Sequence, residues 1–334
     1  MVVRKSKHRK WIVMAAIAVL GGGSLGLLLA GRLTAAGCNC ELWTKTLHQA
    51  SLLNHEGLTI QDPSGETLAK VTVKAASLTE VLSKFENGPI LLTVKQTALT
   101  PDFLQKLAYI IPFNGTLVLF QNGIGHVELL RQALPGRRLI TAVTTEGALR
   151  ISEVIVRHTG EGEIRLGEWF PDGDAEISGN SHIDGDIANE ALLQVEQLLK
   201  QAGFSVLLSK QLEDVVLRKL LINAVINPLT AILRIRNGEL TETADRKRLM
   251  QALFHETFGI LSHYGLKDES KLWETVLRVC HTTYSNESSM LQDINLHKET
   301  EIEFINGAIC RMAIRQGIEA PWNQAVMALV KAAH

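Results

Sequence analysis

The spacing of hydrophobic residues changes near residue 208 and divides the chain into two parts. Before this point, short apolar runs alternate with polar turns and helical patterns, which is the rhythm of an α/β domain with a mainly parallel sheet. The runs that predict strands are 16–20, 39–43, 90–94, 116–120, 139–146, 153–158, 163–166 and 205–208. The helical patterns among them are 25–36, 101–110 and 188–202.

Three segments depart from this alternation. Residues 58–73 predict a small antiparallel hairpin around Asp62-Pro63-Ser64-Gly65, where a strand-helix unit would otherwise continue. The strands within 139–166 predict a meander that closes the main sheet, and the polar residues 171–186 predict a loop.

The second part of the chain has helical periods only. They run through about 211–233, 243–265, 268–284 and 297–317, and a last helical segment follows Pro321. The hydrophobic pattern therefore predicts an α/β domain followed by an all-helical domain.

Residues 11–31 are a stretch of 21 residues without charge behind a basic cluster, and this is typical of a signal peptide or a membrane anchor. The same stretch also reads as strand, glycine turn and helix, because Gly21-x-Gly23-x-x-Gly26 directly follows a strand pattern. That order is the dinucleotide-binding fingerprint of a Rossmann-type domain. Gly21 permits the tight turn, Gly23 lets a pyrophosphate approach the backbone, and Gly26 lets the helix pack closely on the strand. We favour this interpretation.

The glycine turn sets the proposed domain organisation. We predict an NADP-binding Rossmann-like domain at 14–208 and a helical domain with substrate-binding and catalytic groups at 209–334. Residues 1–13 are then a mobile basic extension, or lie upstream of a true start at Met14. Two further residues of the turn, Ser24 and Leu25, complete its candidate cofactor contacts, and no membrane partner is expected.

The end of the second strand bears on the choice of cofactor. NAD-binding domains usually place an acidic residue there, which accepts hydrogen bonds from the ribose and repels a 2′-phosphate. Here the position is Trp43 or Thr44, followed by Lys45. The sequence therefore predicts NADP(H) rather than NAD(H), with Lys45 as the candidate contact to the 2′-phosphate; the alternative is a solvated surface lysine.

Charge and cysteine content exclude several classes of function. The net charge is −1, and because basic residues cluster within 1–11 the remainder is more acidic, so a nucleic-acid partner is not expected. Cys38, Cys40, Cys280 and Cys310 are too few and too scattered for a disulfide framework, which favours a reducing, cytoplasmic compartment. The histidines stand at no metal spacing, so we predict no metal site.

A polar stripe interrupts the apolar segment 211–233. Lys219, Asn223 and Asn227 recur every fourth residue and fall within roughly 80° of one another on a helix. Burying an amine and two carboxamides costs several kcal/mol unless partners are supplied. A small molecule with a carboxylate and a carbonyl would supply them; alternatively Lys219 reaches solvent and the asparagines bond to nearby backbone.

Other candidate residues follow strands or lie in the helical part. Lys95 and Asn122 follow two predicted parallel strands at their carboxyl ends, where ligands bind in open sheets; a helix-capping role is the alternative for Asn122. Ser288 or Ser289 predicts a helix N-cap, which Gln292 or Asp293 could complete. Glu301 lies between Glu299 and Glu303 and by itself predicts a solvated acidic helix face.

Together these motifs resemble the ketopantoate reductase (2-dehydropantoate 2-reductase) family. The resemblance covers about residues 15–334 and is specific through the combination of its motifs. These are Gly21-x-Gly23-x-x-Gly26, Gln121-Asn122-Gly123-Ile124-Gly125, Lys219-x-x-x-Asn223-x-x-x-Asn227-Pro228-Leu229-Thr230-Ala231, Asn237-Gly238-Glu239-Leu240, and Ser288-Ser289-Met290-Leu291-Gln292-Asp293 followed by Glu301.

The resemblance implies NADPH-dependent reduction of 2-dehydropantoate to (R)-pantoate, a step toward pantothenate and coenzyme A, in a cleft between two domains. It also implies that Lys219 polarises and protonates the ketone. By the same carry-over, Asn223, Asn227 and Ser289 hold the carboxylate and hydroxyl of the substrate. Asn122 would lie beside the reacting centre, and Glu301 would hold the nicotinamide ribose and one end of the substrate.

Three alternatives remain open on the sequence. The first is an NADP-dependent reductase of another 2-oxoacid, or a β-hydroxyacid dehydrogenase-like enzyme, because lysine and asparagine four residues apart also serve that class. The second is a redox-sensing protein that binds NADPH without catalysis, and the third is a membrane-anchored protein. The oligomeric state is open, with a homodimer as one candidate.

Overall fold

The computed structural model describes residues 16–86, 88–169 and 185–333. The proposed extension at 1–13 and most of the loop expected at 171–186 lie outside these residues. Within them, twelve strands are formed: β1 Ile17–Leu20, β2 Cys40–Thr44, β3 Leu58–Gln61, β4 Thr67–Val71, β5 Lys74–Ser77, β6 Ile90–Leu92, β7 Thr116–Leu119, β8 Arg138–Thr144, β9 Gly147–Arg150, β10 Ile155–Gly160, β11 Ile164–Gly167 and β12 Val206–Leu208.

The described helices begin and end as follows: α1 Ser24–Ala35, α2 Leu47–Glu56, α3 Pro101–Ile110, α4 His126–Ala133, α5 Gly185–Gln201, α6 Leu212–Leu233, α7 Ala244–Ser262, α8 Glu269–Thr282, α9 Ser289–Asn295, α10 Asn306–Gln316 and α11 Pro321–Ala332. The hydrophobic pattern predicted most of them; α9 was expected only from the helix N-cap at Ser288 or Ser289, and α2 and α4 were not predicted. Both are short, and α2 buries only Gln49, Ala50 and Leu53, so it has little apolar periodicity to recognise.

The main sheet has eight strands in the order β12-β11-β8-β7-β6-β1-β2-β5. Strands β5, β2, β1, β6, β7 and β8 are parallel, while β11 pairs antiparallel with β8. The chain leaves β1 toward β2 on one side and returns to β6 on the other, so the crevice at their carboxyl ends is the topological switch point, where open α/β sheets bind ligands. The predicted Rossmann-type sheet followed by helices is confirmed.

A second, four-stranded sheet in the order β4-β3-β10-β9 packs against α1. The hairpin expected at 58–73 is its antiparallel pair β3 and β4. The expected meander is wrong in part, because β9 and β10 leave the main sheet and β10 pairs parallel with β3. Alternation of apolar and polar residues shows which face of a strand is buried, and Val156 lies on that face of β10. It does not show which sheet the strand joins.

The segment expected as one helix at 297–317 is interrupted. α9 ends at Asn295, His297 adopts a left-handed conformation with φ 50°, and a 3-10 turn at Ile302–Phe304 precedes α10. Glu301 therefore lies before a short turn rather than on the face of a long helix. Its carboxylate bonds to the N-terminal domain, as described below, and this tertiary contact replaces the solvated acidic face that the sequence predicted.

Helix α6 forms the centre of the helical domain and packs on α7, α9 and α11. Its most apolar window has a mean hydropathy of 1.5, long and apolar enough to cross a membrane, but 67% of that window is buried inside the protein. Pro228 lies within the helix and cannot donate to the carbonyl of Ala224. The Asn306 Nδ2 donates to that carbonyl instead, at 3.0 Å, so a side chain from α10 completes the helix.

Candidate active site

The candidate site lies where the carboxyl ends of β6, β7 and β8 face α6, α9 and the turn at Ile302–Phe304. Because these three strands are parallel, the residues that follow them share one edge of the sheet. Lys95, Asn122 and Thr144 are at that edge, and each contacts a residue of the helical part.

Lys219 extends from α6 to the sheet. Its Nζ donates a hydrogen bond to the Thr144 carbonyl oxygen at 2.9 Å, which fixes the ammonium at the end of β8. Burial lowers the pKa of Lys219 to about 8, and the negative charge of Glu301 opposes part of that shift. The lysine can therefore carry a proton near neutral pH and release it more readily than an exposed lysine.

Glu301 is buried in the cleft and is held by the N-terminal domain. Its Oε1 accepts from the backbone N–H of Gln96, and its Oε2 accepts from Asn122 Nδ2, each at 3.3 Å. Burial raises the pKa of the Glu301 carboxyl, while these two hydrogen bonds and the charge of Lys95 act in the opposite direction. The residue is an acceptor at the boundary of the two domains.

The turn after β7 is shaped by its contact with the Glu301 segment. Gly123 has φ 77°, and a Cβ there would lie 2.2 Å from the Phe304 carbonyl oxygen. The backbone N–H of Ile124 donates to the same oxygen at 3.1 Å. The backbone carbonyl of Asn122 accepts from Gln96 Nε2 at 2.5 Å, so Gln96 helps to fix the backbone of this turn.

A second interdomain contact joins Lys95 to Asp293. The Lys95 Nζ and Asp293 Oδ1 form an ion pair, with 37% of the lysine side chain and 11% of the aspartate side chain exposed. The sequence suggested Gln292 or Asp293 as the residue that completes the cap of α9; Gln292 Nε2 donates to the Glu287 carbonyl at 3.0 Å, just before the N-cap. The Ser288 hydroxyl caps α9 by accepting from the Leu291 N–H at 3.1 Å, and Asp293 faces the other domain.

The polar stripe on α6 is present as expected. Asn227 is buried and Asn223 is half-buried, and neither side-chain amide forms a hydrogen bond to another described residue. Thr230, one turn further on, donates to the Ser288 hydroxyl at 2.7 Å and so joins α6 to the start of α9. Ser289, the first residue of α9, is exposed, and among the described residues nothing bonds to its hydroxyl.

The glycine turn fits a pyrophosphate. Gly21 has φ 132°, and a Cβ on Gly26 would lie 1.8 Å from the Gly21 carbonyl oxygen, so both positions require glycine. A Cβ on Gly23 would have no described neighbour within 4 Å, so the backbone is open on that side. No side chain caps the N-terminus of α1 and its first turn holds no acidic residue, which leaves free N–H groups for an anion.

Ser24 and Leu25 are half-buried in the first turn of α1. The Ser24 hydroxyl accepts from the Arg150 N–H at 3.0 Å, and Leu25 packs against the core of the sheet. Arg150 itself was not predicted; its Nη1 donates to the Gly22 carbonyl at 3.1 Å. Its separation from the turn by more than a hundred residues left no local signal.

At the end of β2, Thr44 is buried and Lys45 is exposed. Glu41, the acidic residue of this strand, points elsewhere: it accepts from Trp43 Nε1 at 3.3 Å and pairs with Lys74. The last residues of β2 thus carry no carboxylate, while Glu80, which follows the neighbouring strand β5, accepts a hydrogen bond from the Ser77 N–H at 3.0 Å. Among the described residues, no group of three or more His, Cys, Asp or Glu side chains could hold a metal ion.

Sequence reasoning missed three residues that shape the centre of the site. Gln96 contacts both Glu301 and Asn122, Thr144 holds Lys219, and His126 is buried at the start of α4, where it lines a small cavity together with Lys219. Gln96 and Thr144 act partly through backbone groups, which carry no residue signature. A histidine one residue after the Asn122 turn motif was the available signal for His126.

Known proteins similar to this chain share both of its domains. The family described as "Ketopantoate reductase PanE/ApbA" matches residues 17–171, and "Ketopantoate reductase PanE/ApbA C terminal" matches residues 211–334. The 2-dehydropantoate 2-reductase of Bacillus subtilis (strain 168) is 31% identical over 306 residues, covering 91% of this chain and 92% of that protein. The enzyme of the same name from Pyrococcus horikoshii is 31% identical over 316 residues, covering 95% of this chain and 96% of that protein.

Solved structures give the same result for the fold. The crystal structure of probable 2-dehydropantoate 2-reductase from Bacillus subtilis has a TM-score of 0.75 and 30% identity, and covers 96% of this chain and 100% of its own. D-mandelate dehydrogenase, in a ternary structure with NADH and anilino(oxo)acetate, has a TM-score of 0.83 and 22% identity, and covers 95% of this chain and 98% of its own.

Proposed function

The chain belongs to the ketopantoate reductase family of oxidoreductases, and we propose that it reduces 2-dehydropantoate to (R)-pantoate with NADPH, using Lys219 as the general acid. The observation that carries this proposal is the position of Lys219. Its Nζ is held 2.9 Å from the Thr144 carbonyl at the cleft, with a pKa lowered to about 8. This is the group that reduction of a ketone requires.

The role of Lys219 follows from the charge that develops on the substrate. When bound, NADPH supplies a hydride to the carbonyl carbon, and negative charge then develops on the carbonyl oxygen. The Lys219 ammonium stabilises that charge and transfers a proton from Nζ to the oxygen, which leaves an alcohol and a neutral amine. The amine regains a proton from solvent before the next turnover.

Glu301 is proposed to orient the reactants rather than to transfer a proton. Gln96 and Asn122 each donate to one of its carboxylate oxygens, which leaves the remaining lone pairs for hydroxyl groups. In our proposal these belong to the nicotinamide ribose and to the hydroxyl end of the substrate. Its negative charge also keeps Lys219 protonated to a higher pH than burial alone would allow.

The substrate carboxylate and hydroxyl are assigned to Asn223, Asn227 and Ser289. The two amides on α6 have unused donors in the described structure, and the hydroxyl at the start of α9 is accessible. Thr230 and Ser288 connect the two helices at 2.7 Å, so the three proposed ligands are on elements in direct contact. A 2-oxoacid with a hydroxyl group on its branch can form hydrogen bonds with all of these groups, whereas one with an apolar branch would leave some of them without a partner.

The cofactor assignment rests on the glycine turn and the end of β2. Gly21, Gly23 and Gly26, with Ser24 and Leu25, would form the pyrophosphate site at the N-terminus of α1. We assign the 2′-phosphate to Lys45, because Trp43 and Thr44, the last residues of β2, carry no carboxylate. Lys95 and Asn122 are proposed to lie beside the nicotinamide half.

The wider cellular setting is part of the same proposal. We retain domain boundaries at 14–208 and 209–334, a cytoplasmic location and a role in pantothenate and coenzyme A synthesis. In the described residues Cys38, Cys40, Cys280 and Cys310 are free and buried, as a reducing compartment permits. A homodimer remains the candidate oligomer.

The test is NADPH oxidation by the purified protein with ketopantoate, compared with pyruvate, 2-oxoisovalerate, 3-hydroxyisobutyrate semialdehyde and an aryl 2-oxoacid, and repeated with NADH. We expect the highest kcat/KM for ketopantoate with NADPH. Lys45→Glu should lower the kcat/KM ratio of NADPH to NADH, whereas Lys247→Glu on the exposed face of α7 should not change it. A higher kcat/KM for another 2-oxoacid would contradict ketopantoate as the substrate and assign the enzyme to that substrate class. NADPH binding without turnover would favour a redox-sensing protein that lacks catalysis.

A further inference from the structure

A small cavity has Lys219 as one of its lining residues. It offers about 20 Å³ to the centre of a water-sized sphere, and Lys219 shares its wall with Gln121, His126 and Trp169, among others. A site needs roughly 10–15 Å³ of such space, together with two to four polar partners, to hold one water molecule. The volume therefore matches a single water.

Unpartnered polar atoms line this cavity. Both ring nitrogens of His126 and the Trp169 Nε1 are buried and form no hydrogen bond with any described residue. The two side chains are 2% and 5% exposed respectively, so bulk solvent does not satisfy them. Buried polar groups without partners are rare in folded proteins and point to a bound water or ligand.

Gln121 adds a hydrogen-bond acceptor to the same wall. Its Nε2 donates to the carbonyl oxygens of Leu92 and Val94, at 3.3 and 3.1 Å, which fixes the orientation of the amide. Its Oε1 is buried and, within the described structure, has no partner. The residues that line the cavity thus carry an indole donor, an amide acceptor, an imidazole and the Lys219 ammonium.

We propose that this cavity binds one ordered water molecule that bridges Lys219 to His126 and orients the ammonium toward the substrate. A water molecule accepts two hydrogen bonds and donates two. Here it accepts from Lys219 and Trp169, and it donates to His126 and to Gln121 Oε1. All four bonding directions of the water are then used, and it supplies a partner to Trp169 Nε1, to Gln121 Oε1 and to one of the two His126 ring nitrogens.

The hydrogen-bond capacity of Lys219 supports this arrangement. An ammonium has three N–H groups. One donates to the Thr144 carbonyl at 2.9 Å, and the proposed function directs a second to the substrate oxygen. The third is available for the water, so the ammonium has three fixed directions instead of rotating about its last bond.

His126 is suited to the role of acceptor. Burial lowers its pKa to about 3, so the imidazole is neutral at physiological pH and one ring nitrogen accepts a hydrogen bond. Among the described residues, Glu301 from the interdomain turn acts on the charge of the lysine, and this neutral histidine from α4 lines the same cavity. His126 does not touch the reacting atoms in this arrangement and is a positioning residue.

This proposal rests on the proposed function only for the statement that one N–H of Lys219 points to a substrate oxygen. The first test of the water site therefore uses the protein without substrate. A high-resolution crystal structure of the wild-type protein should show one density peak within hydrogen-bond distance of Lys219 Nζ, His126, Trp169 Nε1 and Gln121 Oε1. A titration of the lysine Nζ resonances by ¹⁵N NMR, assigned with Lys219→Met, should give a pKa near 8 for Lys219.

Variants separate the acceptor role of His126 from a packing role. His126→Phe should lower the pKa of Lys219 by about one unit, because the ammonium loses the partner that its bridging water requires. Either His126→Asn or His126→Gln, which place an amide oxygen near the two ring nitrogen positions, should restore most of the shift. Trp169→Phe should shift the pKa in the same direction by less, and Trp273→Phe, in the core of the helical domain, should leave it unchanged.

In kinetics, His126→Phe should lower kcat about tenfold and change KM for the ketone less than about threefold. The basic limb of its pH profile should move to lower pH by the same amount as the Lys219 pKa measured by NMR. Absence of the density peak in the wild-type protein would overturn the proposal, as would an unchanged lysine pKa in folded His126→Phe and Trp169→Phe. If the water and the pKa shifts are present but no 2-oxoacid is reduced, the proposed function fails while the water site stands.

Discussion

Asn122 and Glu301 belong to different domains and share a hydrogen bond, in which Asn122 Nδ2 donates to Glu301 Oε2 at 3.3 Å. Glu301 also accepts from the Gln96 backbone, and Lys95 pairs with Asp293 nearby. The loops after β6 and β7 are therefore tied to the segment between α9 and α10. The same contacts place Glu301 near Lys219, whose pKa it raises, so the joining of the domains also sets the charge of the site.

Lys219→Ala should lower kcat by about 10² to 10⁴, the range typical of general acid catalysis, because no other described ammonium is bonded at the end of β8. The dissociation constant of NADPH should change less than about threefold. Stopped-flow hydride transfer and NADPH fluorescence titration measure the two quantities. Lys247→Ala, an exposed lysine on α7, is the matched control. Equal losses in turnover and NADPH affinity would contradict the assigned role.

The rate of ketone reduction should fall as pH rises through about 8. The folded protein holds the pKa of Lys219 near that value, and only the ammonium can donate a proton. Below about pH 7 the lysine is almost fully protonated, and its contribution to the rate is constant there. A pH profile of kcat with saturating NADPH measures this limb, and a rate that is flat up to pH 10 would exclude Lys219 as the acid.

Glu301→Gln should move the basic limb to lower pH, since the carboxylate raises the pKa of Lys219 and the amide carries no charge. In Glu301, each carboxylate oxygen accepts one hydrogen bond, from the Gln96 N–H or from Asn122 Nδ2. Glutamine replaces one of these oxygens with an NH₂ group, which cannot accept, so one interdomain hydrogen bond is lost. We expect kcat/KM to fall at least about tenfold. Glu299→Gln, which is exposed two residues earlier, should retain the wild-type profile.

Stability should decrease in mild acid through His126. The folded protein holds its pKa at about 3, whereas the unfolded chain protonates near its ordinary value of about 6.5. Between these values the unfolded state binds the extra proton, so stability is lost as pH falls below 6.5 toward 3. For this group the loss from pH 7 to pH 5 is about 2 kcal/mol.

The measurement that isolates this contribution is urea unfolding of the wild type and His126→Gln at pH 7 and pH 5. The variant should show the smaller loss of unfolding free energy between the two pH values. His263→Gln, an exposed histidine at the end of α7, should behave as the wild type does. Identical pH dependence in the wild type and His126→Gln would show that His126 is not buried in its neutral form.

Two glycines of the turn should respond differently to alanine. A Cβ on Gly26 would lie 1.8 Å from the Gly21 carbonyl, so Gly26→Ala should destabilise the folded protein even without cofactor. A Cβ on Gly23 would meet no described atom within 4 Å, and its φ of −82° suits alanine. Gly23→Ala should therefore keep the wild-type melting temperature and bind NADPH at least about tenfold more weakly. Calorimetry with and without NADPH tests both expectations, and unchanged affinity in Gly23→Ala would place the pyrophosphate elsewhere.

Local chemistry determined a large part of this protein from its sequence. Gly21-x-Gly23-x-x-Gly26 behind an apolar strand predicted the nucleotide-binding turn, because backbone geometry at a tight turn and a close packing contact admits few other residues. The four-residue spacing of Lys219, Asn223 and Asn227 predicted a polar stripe, because helix periodicity is fixed by the backbone. The two-domain fold class and the family are confirmed; the individual site roles and the domain boundaries stay predictions.

Other properties depended on contacts between distant parts of the chain. The local pattern alone predicted an acidic helix face for Glu301, and only the family resemblance placed it at the ligands; hydrogen bonds from Gln96 and Asn122 hold it between the two domains. β10 joined a second sheet because strand pairing, unlike strand formation, is decided between segments far apart in sequence. The pKa of Lys219 and the cavity shared with His126 and Trp169 arise from burial and from atoms of several elements. Desolvation and void volume are properties of packing, and only the tertiary structure could decide them.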